Sequence, residues 1–419
     1  MSIRLPTFVK RWVPSIIAGG ADNDPAGIAT YSISGARFGY HQIWLLILST
    51  PMLIAVQAMC ARLGDVKRKG LMLIIREHYP PVVAYSVAGV LIVANTTTLG
   101  ADLAGVAEAV GMMTGTSYIW WVVPIALCIW AIVVLKSFRI IERYLLVLSL
   151  VFICYVVSGL LARPVWHDVI RAIVFPNIEF SIEYLLAGVG LLGTTITPFL
   201  FFWQSRQGTE EKQSKKNLLS SARQEDRRMA PGFIYSNCIS FFIMIASAQA
   251  LFGKISPSAI MSSADAARAL EPLSGKSATV LFSLGIIGAG LLAIPVLAIS
   301  TAYAVAEIFG WRESLSDRTN KAKGFYTVIS ASIIVGVGIA LSGLSPMKAL
   351  LYSQVLGGMV GPLLVTLILF LCNDRRIMGT LVNRWFDNLF GWITVVVLML
   401  GSAGIFWQFL ASLYNTSHE

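Results

Sequence analysis

Gly19-Gly20-Ala21-Asp22-Asn23-Asp24-Pro25-Ala26-Gly27 cuts into what is otherwise an apolar run of membrane-spanning length. It places two carboxylates, an amide and a proline near the middle of that run. An ionised side chain at membrane depth is costly and as a rule faces a cavity or an ion path. Proline lacks a backbone donor and clashes with the preceding turn, while glycine lets a helix unwind. Unwound backbone at that depth is tolerated only where protein or a water-filled cavity surrounds it. The stretch therefore predicts a helix broken within the bilayer, with carboxylates at the break. A proline kink beside a short polar loop is the plainer alternative.

Composition places that break in a polytopic, all-α membrane protein. Of 419 residues, 56% are hydrophobic and only 13% charged, too apolar for a soluble chain of this length. Apolar runs of about 20 residues, enough to cross the hydrocarbon core, recur at 12–35, 42–62, 81–110, 118–135, 143–161, 183–205, 229–252, 277–308, 325–342, 349–372 and 390–413. The long third and eighth runs predict tilt, or helix extending past the bilayer. Of the 32 lysines and arginines, 25 fall on one set of alternating connections and 7 on the other. That asymmetry predicts a cytoplasmic N-terminus, an outer C-terminus and an odd number of spans, as in a prokaryotic inner membrane protein. It also assigns the +10 net charge to topology rather than to a nucleic-acid surface.

Asp22 to Pro25 interrupt the first run, which reads as a retained span and not a signal peptide. The five cysteines lie within apolar runs without CxxC spacing and read as small buried hydrophobes. The four histidines sit near loops or the tail, which disfavours a histidine metal site. No nucleophile–base pair or HExxH motif argues for an enzyme. No cofactor and no obligate protein partner is expected. The basic connector from Arg206 to Arg228 reads as solvated and partly helical.

The second interruption lies in the sixth run, from Gly188 through Gly190, Gly193, Thr194, Thr195 and Thr197 to Pro198 and Phe199. The two interrupted runs are five apart, and an odd offset reverses orientation. Residues 1–162 and 163–375 are thus expected to form two inverted repeats, with 376–419 holding the extra span and the tail. Paired broken helices at matching positions point to a binding site at the midplane.

At the first break Asp24 offers a hard anionic oxygen. The opened turns around Ala21 to Gly27 and Gly193 to Thr197 can add carbonyls, and Thr194 and Thr197 can add hydroxyls. Such an oxygen set suits Mg²⁺, Ca²⁺ or Mn²⁺, with Mg²⁺ keeping several waters. Asp22 and Asn23 are expected beside the site, Asp22 otherwise lying at the cytoplasmic mouth. Asp102 and Gln354 either line the pathway or serve static hydrogen bonds. Asn95 to Thr98 form a polar run that could line a path, and Glu307 reads as a helix-end charge. Phe199 to Trp203 read as lipid-facing or packing surface.

Asp24-Pro25-Ala26-Gly27-Ile28-Ala29-Thr30 followed by Phe38-Gly39-Tyr40 resembles the first-span signature of the Nramp divalent-metal transporters. Asp102-Leu103-Ala104, Thr194-Thr195-Ile196-Thr197-Pro198 and Ser353-Gln354-Val355 resemble that family's third-, sixth- and tenth-span motifs, in order. The resemblance implies the LeuT fold with eleven spans and a metal site at Asp24, Gly27, Thr194 and Thr197. Gly27 stands where the family has a metal-binding Asn, and Thr197 where it has a metal-binding Met. A thioether favours softer transition metals, and a hydroxyl removes that preference. Phe199 and Gly105 replace groups associated with proton coupling. The combination is similar to the Nramp-related magnesium transporter branch. It implies import of Mg²⁺, and also Mn²⁺, by alternating access without proton coupling. The alternatives are a proton-coupled Mn²⁺/Fe²⁺ importer using Asp102, and a Na⁺-coupled importer of organic solutes on the same fold.

Overall fold

The computed structural model describes residues 13–135, 149–210, 225–254, 263–267, 278–312 and 322–416. Among them, helices account for nearly everything. The first predicted span is two helices, α1 (Val13–Asp22) and α2 (Pro25–Phe38), separated by Asn23 and Asp24. The second is α3 (Ile43–Lys67), from which the short α4 (Leu71–His78) leads to the long α5 (Pro81–Thr114). Spans four and five fall on α6 (Ile119–Leu135) and α7 (Ile153–Leu161), the latter continuing a span whose start lies outside the described residues.

A short surface helix, α8 (Trp166–Val174), precedes the sixth span. That span is again double, α9 (Ile182–Thr195) and α10 (Pro198–Glu210). Next come α11 (Glu225–Leu251), the one-turn α12 (Ser263–Ala267), α13 (Ala278–Phe309) and α14 (Lys323–Ala340). The described chain ends with α15 (Pro346–Asn373), the one-turn α16 (Arg375–Met378) and α17 (Trp385–Thr416). Among the described residues, eight segments are long and apolar enough to cross a membrane, and Ile119–Leu135 is a shorter apolar helix. Most of the Arg206–Arg228 connector lies outside the described residues.

The broken helices occupy the centre. Every residue of α2 except Arg37 is buried, and α9 is enclosed almost as completely. Large apolar side chains such as Trp120, Leu127, Phe370 and Leu400 are exposed on the peripheral helices, as lipid-facing surfaces require. Cys128 and Cys238 also face outward, correcting their expected burial; all five cysteines are free thiols.

Both breaks have the same local cause. A residue before proline is pushed from helical to extended backbone, and Asp24 accordingly has φ −71° and ψ 169°. Its carboxylate then caps α2 by accepting from the Gly27 N–H at 2.5 Å, with Pro25 in the first turn, where no donor is missed. Thr197, also followed by proline, likewise stands outside the helices, and α10 starts at Pro198. The glycines of the sixth span do not break it: Gly188, Gly190 and Gly193 are all helical. Gly193 instead permits close approach to α15, since a Cβ there would strike the Gln354 carbonyl. Phe199 to Trp203 are buried in protein, so they pack the interior and do not face lipid.

Candidate metal site

The two breaks meet in the interior. Asp22, Asn23, Asp24, Asp102, Thr194, Thr197 and Gln354 are each at most 2% exposed. Asp24 Oδ1 accepts from the Gly27 N–H, and Asp24 Oδ2 accepts from Gln354 Nε2 at 3.0 Å. The Thr194 hydroxyl lies against the same carboxylate. A Cβ on Gly27 would come within 2.6 Å of Thr194 Oγ1 and 3.0 Å of Asp24 Oδ1, so only glycine lets these oxygens close in on the start of α2. Asp102 approaches from α5: Oδ1 accepts from the Ala26 N–H at 3.1 Å, and Oδ2 finds no hydrogen-bond donor among the described residues.

The free backbone groups differ from expectation at one position. A helix leaves N–H groups unpaired at its start and carbonyls unpaired at its end. Gly27 lies inside the first turn of α2, so its carbonyl belongs to the helix ladder; it contributes an N–H and the lack of a side chain that Thr194 and Asp24 would otherwise strike. The carbonyl ends are those of α1 and α9. Asn23 takes the Gly20 and Gly19 carbonyls and Ile196 takes that of Leu192, which leaves Ala21, Asp22 and Gly193 to Thr195 beyond their ladders.

Thr197 does not bond Asp24. Its hydroxyl donates to Asp22 Oδ1 at 3.0 Å, and Ser236 Oγ on α11 donates to Asp22 Oδ2 at 2.7 Å. Asn23 joins the same cluster, its Nδ2 donating to Ser236 Oγ at 2.9 Å and its Oδ1 accepting from Ser240 Oγ at 3.1 Å. Asp22 is thus inside the protein at the break and not at a mouth. Sequence reasoning missed Ser236 and Ser240. Their only signal was two serines one helical turn apart in a membrane span. The Asn95–Thr98 run serves structure: Asn95 donates to Thr301 at 2.9 Å, and the three threonine hydroxyls bond carbonyls of their own helix.

The site is closed toward both ends. A cavity of about 220 Å³ opens along α2, α9 and α15, the three helices that carry Asp24, Thr194 and Gln354. It is lined by Arg37, Glu183 and Lys348 at the end predicted to face outside. Thr30, Gly190, Leu351 and Val355 pack together between it and Asp24. At the opposite end Glu307 is more than a helix-end charge. Its buried carboxylate accepts from the Leu73 N–H at 3.0 Å and lies 3.5 Å from Arg206 Nε, whose guanidinium covers the Tyr303 ring. This joins α4, α10 and α13 below the site.

Among the described residues no three His, Cys, Asp or Glu side chains form a metal cluster. What the breaks assemble is a set of oxygens: carboxylates, hydroxyls and helix-end carbonyls. That chemistry suits a hard cation.

Comparison with known proteins gives consistent matches. The family described as Nramp, natural resistance-associated macrophage protein-like, matches residues 15–408. The chain is 28% identical over 406 residues to the divalent metal cation transporter MntH of Deinococcus radiodurans, covering 95% of this chain and 89% of that one. The fold is similar to the manganese transporter of Eremococcus coleocola, with TM-score 0.75 and 19% identity over 96% of this chain and 88% of that one. It is also similar to Mhp1, a nucleobase-cation-symport-1 family transporter, in a closed conformation. There the TM-score is 0.60 and the identity 14%, over 95% and 92% of the two chains.

Proposed function

This chain belongs to the Nramp family, whose members are transporters and not enzymes, and from that premise we propose that it imports Mg²⁺, and also Mn²⁺, across the plasma membrane by alternating access. The observation that carries this reading is the convergence of Asp24, Thr194 and the carbonyl ends of α1 and α9, all oxygen ligands, in the buried interior beside Gly27. Mg²⁺ demands oxygen ligands and sheds water reluctantly, so a few protein oxygens completed by retained water suit it. Asp24 is the anionic ligand. Thr194 and Thr197 offer hydroxyls, and the ends of α1 and α9 offer carbonyls, some reached through water.

Gln354 holds Asp24 in place from α15, and Asp102 bounds the site from α5. Residues 1–162 and 163–375 act as inverted repeats, and transport exchanges the closure near Leu351 and Val355 with that at Glu307. No proton carriage is required. A negative interior favours entry by about 2.3 kcal/mol per charge per 100 mV. Purified protein in liposomes should admit Mg²⁺, and Asp24→Ala should not. Absence of Mg²⁺ entry, or full flux through the variant, ends the proposal.

Asp102 favours a second reading. A buried carboxylate oxygen without a donor, one contact from the site, is the feature a proton-coupled Mn²⁺ importer would use. Metal-driven acidification of the liposome lumen would select that reading; uncoupled transport produces none.

A further inference from the structure

Resting on the reading that Thr197 faces the ion, we infer that Asp22 is a positioning residue that fixes the polarity of the Thr197 hydroxyl and so makes it an acceptor-only ligand. The argument follows one chain of hydrogen bonds. Asn23 Nδ2 lies 3.2 Å from the Gly19 carbonyl and 3.4 Å from that of Ser236. Carbonyls only accept, so this end of the amide is the NH₂ end. The same NH₂ lies 2.9 Å from Ser236 Oγ, which therefore accepts from it. A hydroxyl has one proton, and that of Ser236 is left for Asp22 Oδ2 at 2.7 Å. Asp22 Oδ2 is thus an acceptor, and in the carboxylate form Oδ1 accepts as well, taking the Thr197 proton at 3.0 Å.

With its only proton committed to Asp22, the Thr197 oxygen presents lone pairs to its remaining neighbours. An uncommitted hydroxyl could turn its proton toward the ion and oppose it. The cluster spans α1, α10 and α11, so it also ties both breaks to a third helix. Ser236 and Asn23 support the arrangement without touching the ion.

The test is a double-mutant cycle on the full-length protein, reading Mn²⁺ binding by calorimetry and Mn²⁺ uptake into proteoliposomes. Asp22→Asn would direct its own NH₂ at Thr197 and reverse the hydroxyl. Asp22→Asn and Thr197→Val are each expected to weaken Mn²⁺ binding and raise KM about tenfold or more, with kcat little changed. The double variant should be no weaker than the weaker single, because both changes remove one interaction. Thr197→Ser should bind within about threefold of the parent. Ser236→Ala leaves the Asp22 charge and the Thr197 bond in place and should also stay within about threefold, which keeps the test open if Asp22→Asn does not fold.

Multiplying losses in the double variant would mean that Asp22 acts by its own charge, overturning the inference. So would a Ser236→Ala defect equal to that of Thr197→Val. Asp24→Ala, run alongside, separates the two levels. Mn²⁺ binding retained there overturns the site itself, and with it this inference; binding lost there with no Asp22–Thr197 coupling overturns this inference alone.

Discussion

Gly27→Ala probes the close approach of Thr194 and Asp24 on which the proposed selectivity depends. The added Cβ would stand 2.6 Å from Thr194 Oγ1 and 3.0 Å from Asp24 Oδ1. Carbon–oxygen contact is ordinarily about 3.3 Å or longer, so the overlaps are about 0.7 and 0.3 Å. Asp24 cannot move freely, because the Gly27 N–H and Gln354 hold its two oxygens. Thr194 must turn or α9 must shift, and overpacking of this kind costs about 1–3 kcal/mol. Alanine recovers about 1 kcal/mol over glycine within a helix, so the net loss of stability is no more than about 2 kcal/mol.

The larger effect falls on the ion. The methyl group pushes Thr194 Oγ1 away from Asp24, and Mg²⁺ demands near-ideal octahedral oxygen geometry. Mg²⁺ uptake should weaken at least tenfold, equivalent to about 1.4 kcal/mol, with Mn²⁺ uptake falling less. Parallel Mg²⁺ and Mn²⁺ influx assays in proteoliposomes, normalised to folded protein, measure the ratio. Equal losses for the two ions, or no loss for either, refute the argument that the oxygens packed around Gly27 set the preference for Mg²⁺.

Other outcomes follow from the same contacts. Gln354→Leu removes the donor to Asp24 Oδ2; a hydrogen bond to a charged group contributes about 1.5–3 kcal/mol, so KM for the metal should rise tenfold or more while the protein remains folded, as uptake titrations would show. Arg62→Ala breaks a buried pair with Asp387 at 2.7 Å and a bond to Asn383 at 2.8 Å, between α3 and the start of α17. Losing one partner of such a pair costs about 3–5 kcal/mol, so thermal unfolding should move down markedly, yet metal affinity of the folded fraction should not change. Arg206→Gln weakens the Glu307 closure; thiol labelling of a cysteine placed at Ser205 should speed up in membranes, and unchanged labelling would argue against a gate at that end.

The reach of sequence reasoning here has a definite boundary. Both breaks were legible because their cause is local: Asp24-Pro25 and Thr197-Pro198 each place a residue pushed out of helical backbone before a proline that starts the next helix. The spans were legible because bilayer thickness sets their length. Which faces meet was not. In a membrane the lipid-facing and protein-facing sides are both apolar, so the periodicity that marks a buried face in a soluble helix is weak; for that reason Cys128 and Cys238 were misjudged and the Phe199–Trp203 run stayed open between lipid and packing.

Proximity was equally hidden. Gln354 lies 330 residues from Asp24, and nothing in either neighbourhood says that they touch. Ser236 and Ser240 looked like ordinary small polar residues until packing set them beside Asp22 and Asn23. Local chemistry in the chain determined where the helices break. Only the folded arrangement decided which side chains close around each break, because a carboxylate buried in lipid-depth protein takes its donors from whichever helices pack against it.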